Sequence, residues 1–226
     1  MAVIDAFRIE SRRLSQAVSG EDAASFARPS PCPPWTVGEL LYHVRMAVGR
    51  LPGMLAAPDP GGARLVPAAA YYRPDQRFSA ATNAARVESA QHGAAALATA
   101  AALARDFDQV RREACALLEE APPALVVLTR HGDRMLLTEF LRTRVLELAV
   151  HGLDLAAGLE RRPWMSPQAA TVIEDLMLPS GAAADLRTEL GWDQIALVAR
   201  ITGRHPLTAA ETQLIERRGI QWLALS

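Results

Sequence analysis

Lysine is missing from this chain of 226 residues: every one of its 24 basic side chains is arginine. That excludes Schiff-base chemistry on the protein itself, which needs a lysine amine. Cysteine is scarce, with only Cys32 and Cys115. Two are too few for a disulfide framework, and they lack metal-finger spacing. An excess of either charge is missing too, because 25 acidic residues leave a formal net charge of -1. This gives no electrostatic case for nucleic acid or for an anionic membrane surface. No apolar run reaches the length of a membrane span. The start, Met1-Ala2-Val3-Ile4-Asp5 with Arg8 close behind, places an acid too early for a secretory signal. Internal repeats, a Walker motif, a glycine-rich dinucleotide fingerprint and a nucleophile elbow are also absent. A soluble, cytoplasmic protein, as a monomer or homodimer, is expected.

Half of the residues are hydrophobic, enough to build one large domain or a main domain with an appendage. Residues 2–19 carry Ile4, Phe7, Leu14 and Val18 on a helical beat, with Gly20 as the stop. Arg28-Pro29-Ser30-Pro31-Cys32-Pro33-Pro34-Trp35 is too proline-rich for helix and predicts a stiff extended connector. Thr36 and Glu39 then form a capping box for a second helix, ended by Pro52-Gly53. Residues 57–80, rich in Pro, Gly and Ala, are long for a bundle loop. They read equally well as a rim over a pocket, around Tyr71-Tyr72-Arg73-Pro74, or as a plain insertion. Residues 79–120 read as helix with a break at His92-Gly93, and 124–137 as a short hairpin. After Arg161-Arg162-Pro163-Trp164, three shorter helices are expected. They start near Ser166-Pro167, Trp192 and the Thr208/Glu211 capping box.

The most informative stretch is 138–156. It is proline-free, rich in Leu, Ala, Arg and Glu, and apolar almost all round from Val145 onward, as a buried helix is. Arg144, Glu147, His151 and Asp154 stand on one face of it, at intervals of three and four. Two readings are open. The stripe is a solvated face paired along itself, or it faces inward, where a carboxylate and an imidazole one turn apart grip a cation. His43, on the margin of the second helix, is equally ambiguous, since a lone histidine there is usually a boundary residue.

Four long helical segments predict an all-α four-helix bundle over residues 1–160, with a small, mainly helical C-terminal extension over 161–226. In such a bundle His43, Glu147 and His151 would make a two-His, one-carboxylate set with an open position, as in catalytic zinc sites. Asp154 would orient His151, and Arg144 would hold an anionic group near the metal.

Residues 31–44, Pro31-Cys32-Pro33-Pro34-Trp35-Thr36-Val37-Gly38-Glu39-Leu40-Leu41-Tyr42-His43-Val44, resemble the N-terminal motif of the mycothiol-dependent maleylpyruvate isomerase family, within the DinB-like superfamily. Arg144-Val145-Leu146-Glu147-Leu148-Ala149-Val150-His151-Gly152-Leu153-Asp154-Leu155 is similar to its second motif, and Thr202-Gly203-Arg204-His205-Pro206-Leu207 to its closing segment. The resemblance implies that His43, Glu147 and His151 bind a divalent metal, with zinc the expected ion. It also implies that mycothiol, a low-molecular-weight thiol, is the cosubstrate, with Arg204 or Arg144 holding a substrate carboxylate. Coordination would deprotonate the thiol. The thiolate would add to the cis double bond of maleylpyruvate and leave again after rotation, giving fumarylpyruvate; relatives are thiol S-transferases. The isomerase carries a small C-terminal α/β domain, whereas 163–226 here read as mainly helical, with only Ile220–Leu225 strand-like. The electrophile is therefore left open, and a non-catalytic metal- or ligand-binding bundle stands as the alternative to an enzyme.

Overall fold

Local chemistry starts most of the helices. The computed structural model describes residues 2–59, 61–62, 64–73, 75, 79–122 and 124–223. Among these, helices α1 (Ala2–Val18) and α2 (Ala23–Phe26) precede the extended connector. Then come α3 (Val37–Val48), α4 (Leu51–Ala56), α5 (Ala68–Tyr71), α6 (Ala80–Ala95) and α7 (Ala100–Glu120). A hairpin of β1 (Val126–Leu128) and β2 (Arg134–Leu136) leads into α8 (Leu137–Gly158). The chain continues through α9 (Pro167–Met177), α10 (Ala182–Leu190), α11 (Gln194–Ile201) and α12 (Ala209–Arg217). Both halves of the Thr36/Glu39 and Thr208/Glu211 capping boxes form, and Ser166 caps α9 with Pro167 in its first turn.

Four helices close a ring. α1 packs against α7 and α8, and α3 packs against the same two. Phe7 and Leu14 of α1, Leu40 and Leu41 of α3, Phe107 and Leu118 of α7, and Leu141, Leu148 and Leu155 of α8 are fully buried within it. At about 1.5–3 kcal/mol for each such side chain, apolar burial dominates the ring's stability. This is the expected all-α bundle of DinB-like type, with a small hairpin added. β1 and β2 pair antiparallel, Val127 opposite Met135. α6 lies outside the ring against α3, and α9 lies against α1 and α8. The closing helices α9–α12 are the expected helical extension. Residues 220–223 form no strand, although the Leu223 N–H donates to the Met177 carbonyl. Ala224 and Leu225 lie outside the described residues.

Three local expectations are corrected. Pro52 and Gly53 do not end a helix but lie in the first turns of α4, where proline's missing N–H costs nothing. His92-Gly93 does not break α6; the break falls at 96–99, and Thr99 caps α7. Gly93 serves close packing instead, because a Cβ there would come within 1.9 Å of the Tyr42 ring on α3. The extension contains one helix more than expected, α10, bracketed by Gly181 and Gly191 in the left-handed region. Of the 57–80 segment, Pro60, Ala63, Pro74 and residues 76–78 lie outside the described set, as does Pro123.

Candidate metal centre

The polar stripe of α8 faces inward. Arg144 is 3% exposed and Asp154 2%, which rules out the solvated-face reading. α8 and the facing α3 bring His43, Glu147 and His151 together, with one ligand atom from each within 4.8 Å of the others. Glu147 Oε2 is 3.6 Å from His43 Nε2 and 3.4 Å from His151 Nε2. A tetrahedral ion with ligands at about 2.0–2.1 Å holds them roughly 3.3 Å apart. The donor set, two neutral-capable imidazoles and one carboxylate, and its spacing both fit a divalent metal.

Neighbouring groups fix the first of these histidines by packing and the second by hydrogen bonding. Trp35, at the end of the proline-rich connector, stacks on His43 with ring centroids 4.6 Å apart. The buried His43 Nδ1 has no hydrogen-bond partner among the described residues. His151 Nδ1, by contrast, lies 3.0 Å from Asp154 Oδ2, so the buried carboxylate directs Nε2 toward Glu147. Asp154 is itself gripped from the extension: Arg204 Nε donates to Oδ1 at 3.2 Å and Nη2 to Oδ2 at 3.0 Å. The Cys32 thiol also donates to Asp154 Oδ2, at 3.2 Å. Arg144 Nη2 is 4.0 Å from Glu147 Oε1, and its guanidinium lies over the Phe140 ring at 4.8 Å.

These surroundings set opposite protonation preferences. Burial lowers the pKa of His43 to about 4, against its opposing hydrogen bond to Glu147. Burial also disfavours a charge on His151, but Asp154, Cys32 and Glu147 outweigh it and hold its pKa well above the usual imidazole value. For Glu147 the balance is burial against hydrogen bonds from His151 and His43 and the charge of Arg144. The latter win and hold it well below the usual carboxylate range. Asp154, likewise buried, is held at about 2 by His151 and Arg204. These directions favour a carboxylate on Glu147 facing an imidazolium on His151.

The centre forms part of the wall of a cavity of about 650 Å³. All the expected site residues but Asp154 line it, and Asp154 stands one contact behind. Tyr71 and Tyr72 of the 57–80 segment line it too, as do Arg50, Arg86 and Arg130. Sequence reasoning missed these arginines and the part played by Trp35 and Cys32 beside the site. The Trp35 and Cys32 signal was present, since both lie within the His43 motif, whereas nothing local marks the arginines.

The family model for the mycothiol maleylpyruvate isomerase N-terminal domain matches residues 7–156. The structure is similar to a crystal structure of the mycothiol-dependent maleylpyruvate isomerase, at 17% identity and a TM-score of 0.57, covering 90% of this chain and 88% of that one. The crystal structure of a histidine-to-alanine mutant of that isomerase is similar over the same shares, at 15% identity and a TM-score of 0.57. No curated protein sequence matches the chain. With the family model spanning most of its length and both motifs within that span, the chain belongs to the mycothiol-dependent maleylpyruvate isomerase family.

Proposed function

We propose that the protein is a zinc-dependent, thiol-using enzyme, an isomerase or S-transferase acting on a small organic electrophile, with mycothiol as the thiol. One observation carries this reading: two imidazole nitrogens and a carboxylate oxygen converge in the wall of a cavity large enough for a thiol and a second substrate. His43, Glu147 and His151 would hold the ion. Bound there, zinc supplies Lewis acidity that lowers the pKa of a thiol at the open position, so that a nucleophilic sulfur exists at neutral pH.

The chain's own residues do the rest. Asp154 keeps the His151 proton on Nδ1 and leaves Nε2 free as a ligand. Arg204 fixes Asp154, and as a cavity residue it is also placed to contact the thiol cosubstrate. Arg144 faces the reacting centre with a positive charge that Glu147 only partly offsets. Charge developing on the electrophile as sulfur adds to it would be stabilised there. The fit of the family model supports the reaction class.

The test is metal content and turnover together. Protein purified without added metal is expected to carry about one zinc per chain, lost in His151→Ala with the helical circular-dichroism spectrum retained. Turnover of an electron-poor alkene with added thiol should disappear with the metal. A metal-loaded protein inert toward every thiol and electrophile pair would leave a binding protein in place of an enzyme.

A further inference from the structure

Cys32 takes no part in the set formed by His43, Glu147 and His151, yet it stands beside the same imidazole. His151 Nε2 lies 3.4 Å from Glu147 Oε2, while Nδ1 lies 3.0 Å from Asp154 Oδ2. The Cys32 thiol donates to that same Oδ2 at 3.2 Å. Cys32, His151 and Asp154 therefore make a second set, with one ligand atom from each within 4.8 Å of the others. Cys115 of α7 belongs to no such set among the described residues; its sulfur meets the Ser11 hydroxyl instead.

The spacing suits a cation as well as protons. Around a tetrahedral ion, with sulfur at about 2.3 Å and nitrogen or oxygen at about 2.0–2.1 Å, neighbouring ligands stand roughly 3.3–3.5 Å apart. The set has only to open slightly from its hydrogen-bonded distances of 3.0 and 3.2 Å. A divalent cation there displaces the thiol proton and the Nδ1 proton, both of which are directed at Oδ2. Two positive charges leave as two arrive, so Arg204, which also grips Asp154, faces an unchanged net charge. The connector holds the thiol in place: the Cys32 N–H donates to Ser30 Oγ at 3.2 Å, and the Cys32 carbonyl accepts from the Trp35 N–H at 3.1 Å. Cys32 is half-buried between the exposed Pro31 and Pro33 and lies outside the cavity lining, so an ion meets it from the connector side. Thiolate is the soft donor that distinguishes this set and selects thiophilic ions. The two sets also compete. A neutral imidazole that ligates through Nδ1 keeps its proton on Nε2, the atom that faces Glu147.

We propose that Cys32, His151 and Asp154 form an alternative site for a thiophilic divalent cation of the cadmium type, and that filling it withdraws His151 from the candidate metal centre. A soft ion bound there leaves His43 and Glu147 without their third ligand, so the cluster acts as a point of inhibition by such metals. The binding itself does not require the thiol-using reading of the cavity.

Cadmium titration of the full-length, chelator-treated protein tests this, read as the ultraviolet sulfur-to-cadmium charge-transfer band and as cadmium bound per chain. The band should saturate at about one cadmium per chain in the wild type, in Cys115→Ser and in His43→Ala, which leaves the second set intact. It should vanish in Cys32→Ser, whose hydroxyl still donates to Asp154 and whose helical circular-dichroism spectrum should match the wild type. Absence of the band in the wild type, or its survival in Cys32→Ser, overturns the site. A second equivalent of cadmium that binds the wild type but not His43→Ala overturns the competition for His151. Failure to turn over any thiol and electrophile pair would remove the enzyme reading and leave this band as it is, so the two can fail separately.

Discussion

Helices α7 and α8 are 21 and 22 residues long and close the same ring, but they keep their charges on opposite sides. On α7 the buried residues form one stripe, Leu103, Phe107, Val110, Ala114 and Leu118, at the intervals of an amphipathic helix. Its acids stay at the edge: Asp106 meets Arg45, and Asp108 meets Arg111 and Arg112. α8 is buried around most of its circumference, so Arg144 and Asp154 are carried into the interior with it. A charge at the edge of α7 is one that water can replace. A charge inside α8 persists only because neighbours complete it, and those neighbours converge on the candidate metal centre.

The largest effect should come from breaking one α8 charge. Asp154→Ala strands the Arg204 guanidinium and the His151 imidazole together, at an expected cost of about 3–5 kcal/mol for an opened buried pair. Asp106→Ala on α7 opens a pair whose side chains are 28% and 27% exposed, and should cost about 1 kcal/mol at most. Denaturant unfolding of chelator-treated protein measures both. Similar losses for the two would erase the distinction drawn between the helices.

A middling effect is expected where α6 covers α3 from outside the ring. A Cβ at Gly93 would fall 1.9 Å from Tyr42 Cε1, so Gly93→Ala must push the ring or the helix aside. About 1–3 kcal/mol of overpacking is expected, read as a lowered melting temperature. A neutral result would mean that α6, unlike α7, is free to shift against the bundle.

What was legible in the sequence follows from how local each cause is. The capping boxes at Thr36 and Thr208 depend on residues three apart, and both formed. The ligand atoms of Glu147 and His151 could be placed because both residues ride one helix, and His43 because its motif was distinctive. Pro52 reads as a stop in the sequence, yet proline suits a first helical turn as well, and that is where it lies. Gly93 was misread because its partner, Tyr42, is half a hundred positions away in sequence and visible only in the packed fold. The same holds for Arg50 and Arg130: each is an ordinary arginine in its own segment, and only the ring brings them together.

The smallest effect concerns a third buried acid, Glu10, with no ion pair among the described residues. Glu10 of α1 is fully buried; its Oε2 accepts from the Ser166 N–H at 2.8 Å, tying α1 to the start of α9. Burial raises its pKa above 4.5, against weaker opposing contributions from Ser166 and Arg13. For a carboxyl raised in this way the folded state holds the proton more tightly than the unfolded chain. The stabilisation is therefore full below the unfolded value and is lost as pH rises through the folded one. Asp154 runs the other way: its contribution is present at neutral pH and lost only as pH falls toward about 2. Glu10→Gln keeps an acceptor for Ser166 and removes the ionisation. It should match the wild type at about pH 4 and exceed it at about pH 8, by less than about 1 kcal/mol. Paired melting curves across that range measure the gap. A gap that fails to widen with rising pH would mean that water or a cation already answers Glu10, and that burial alone does not separate it from the charges of α8.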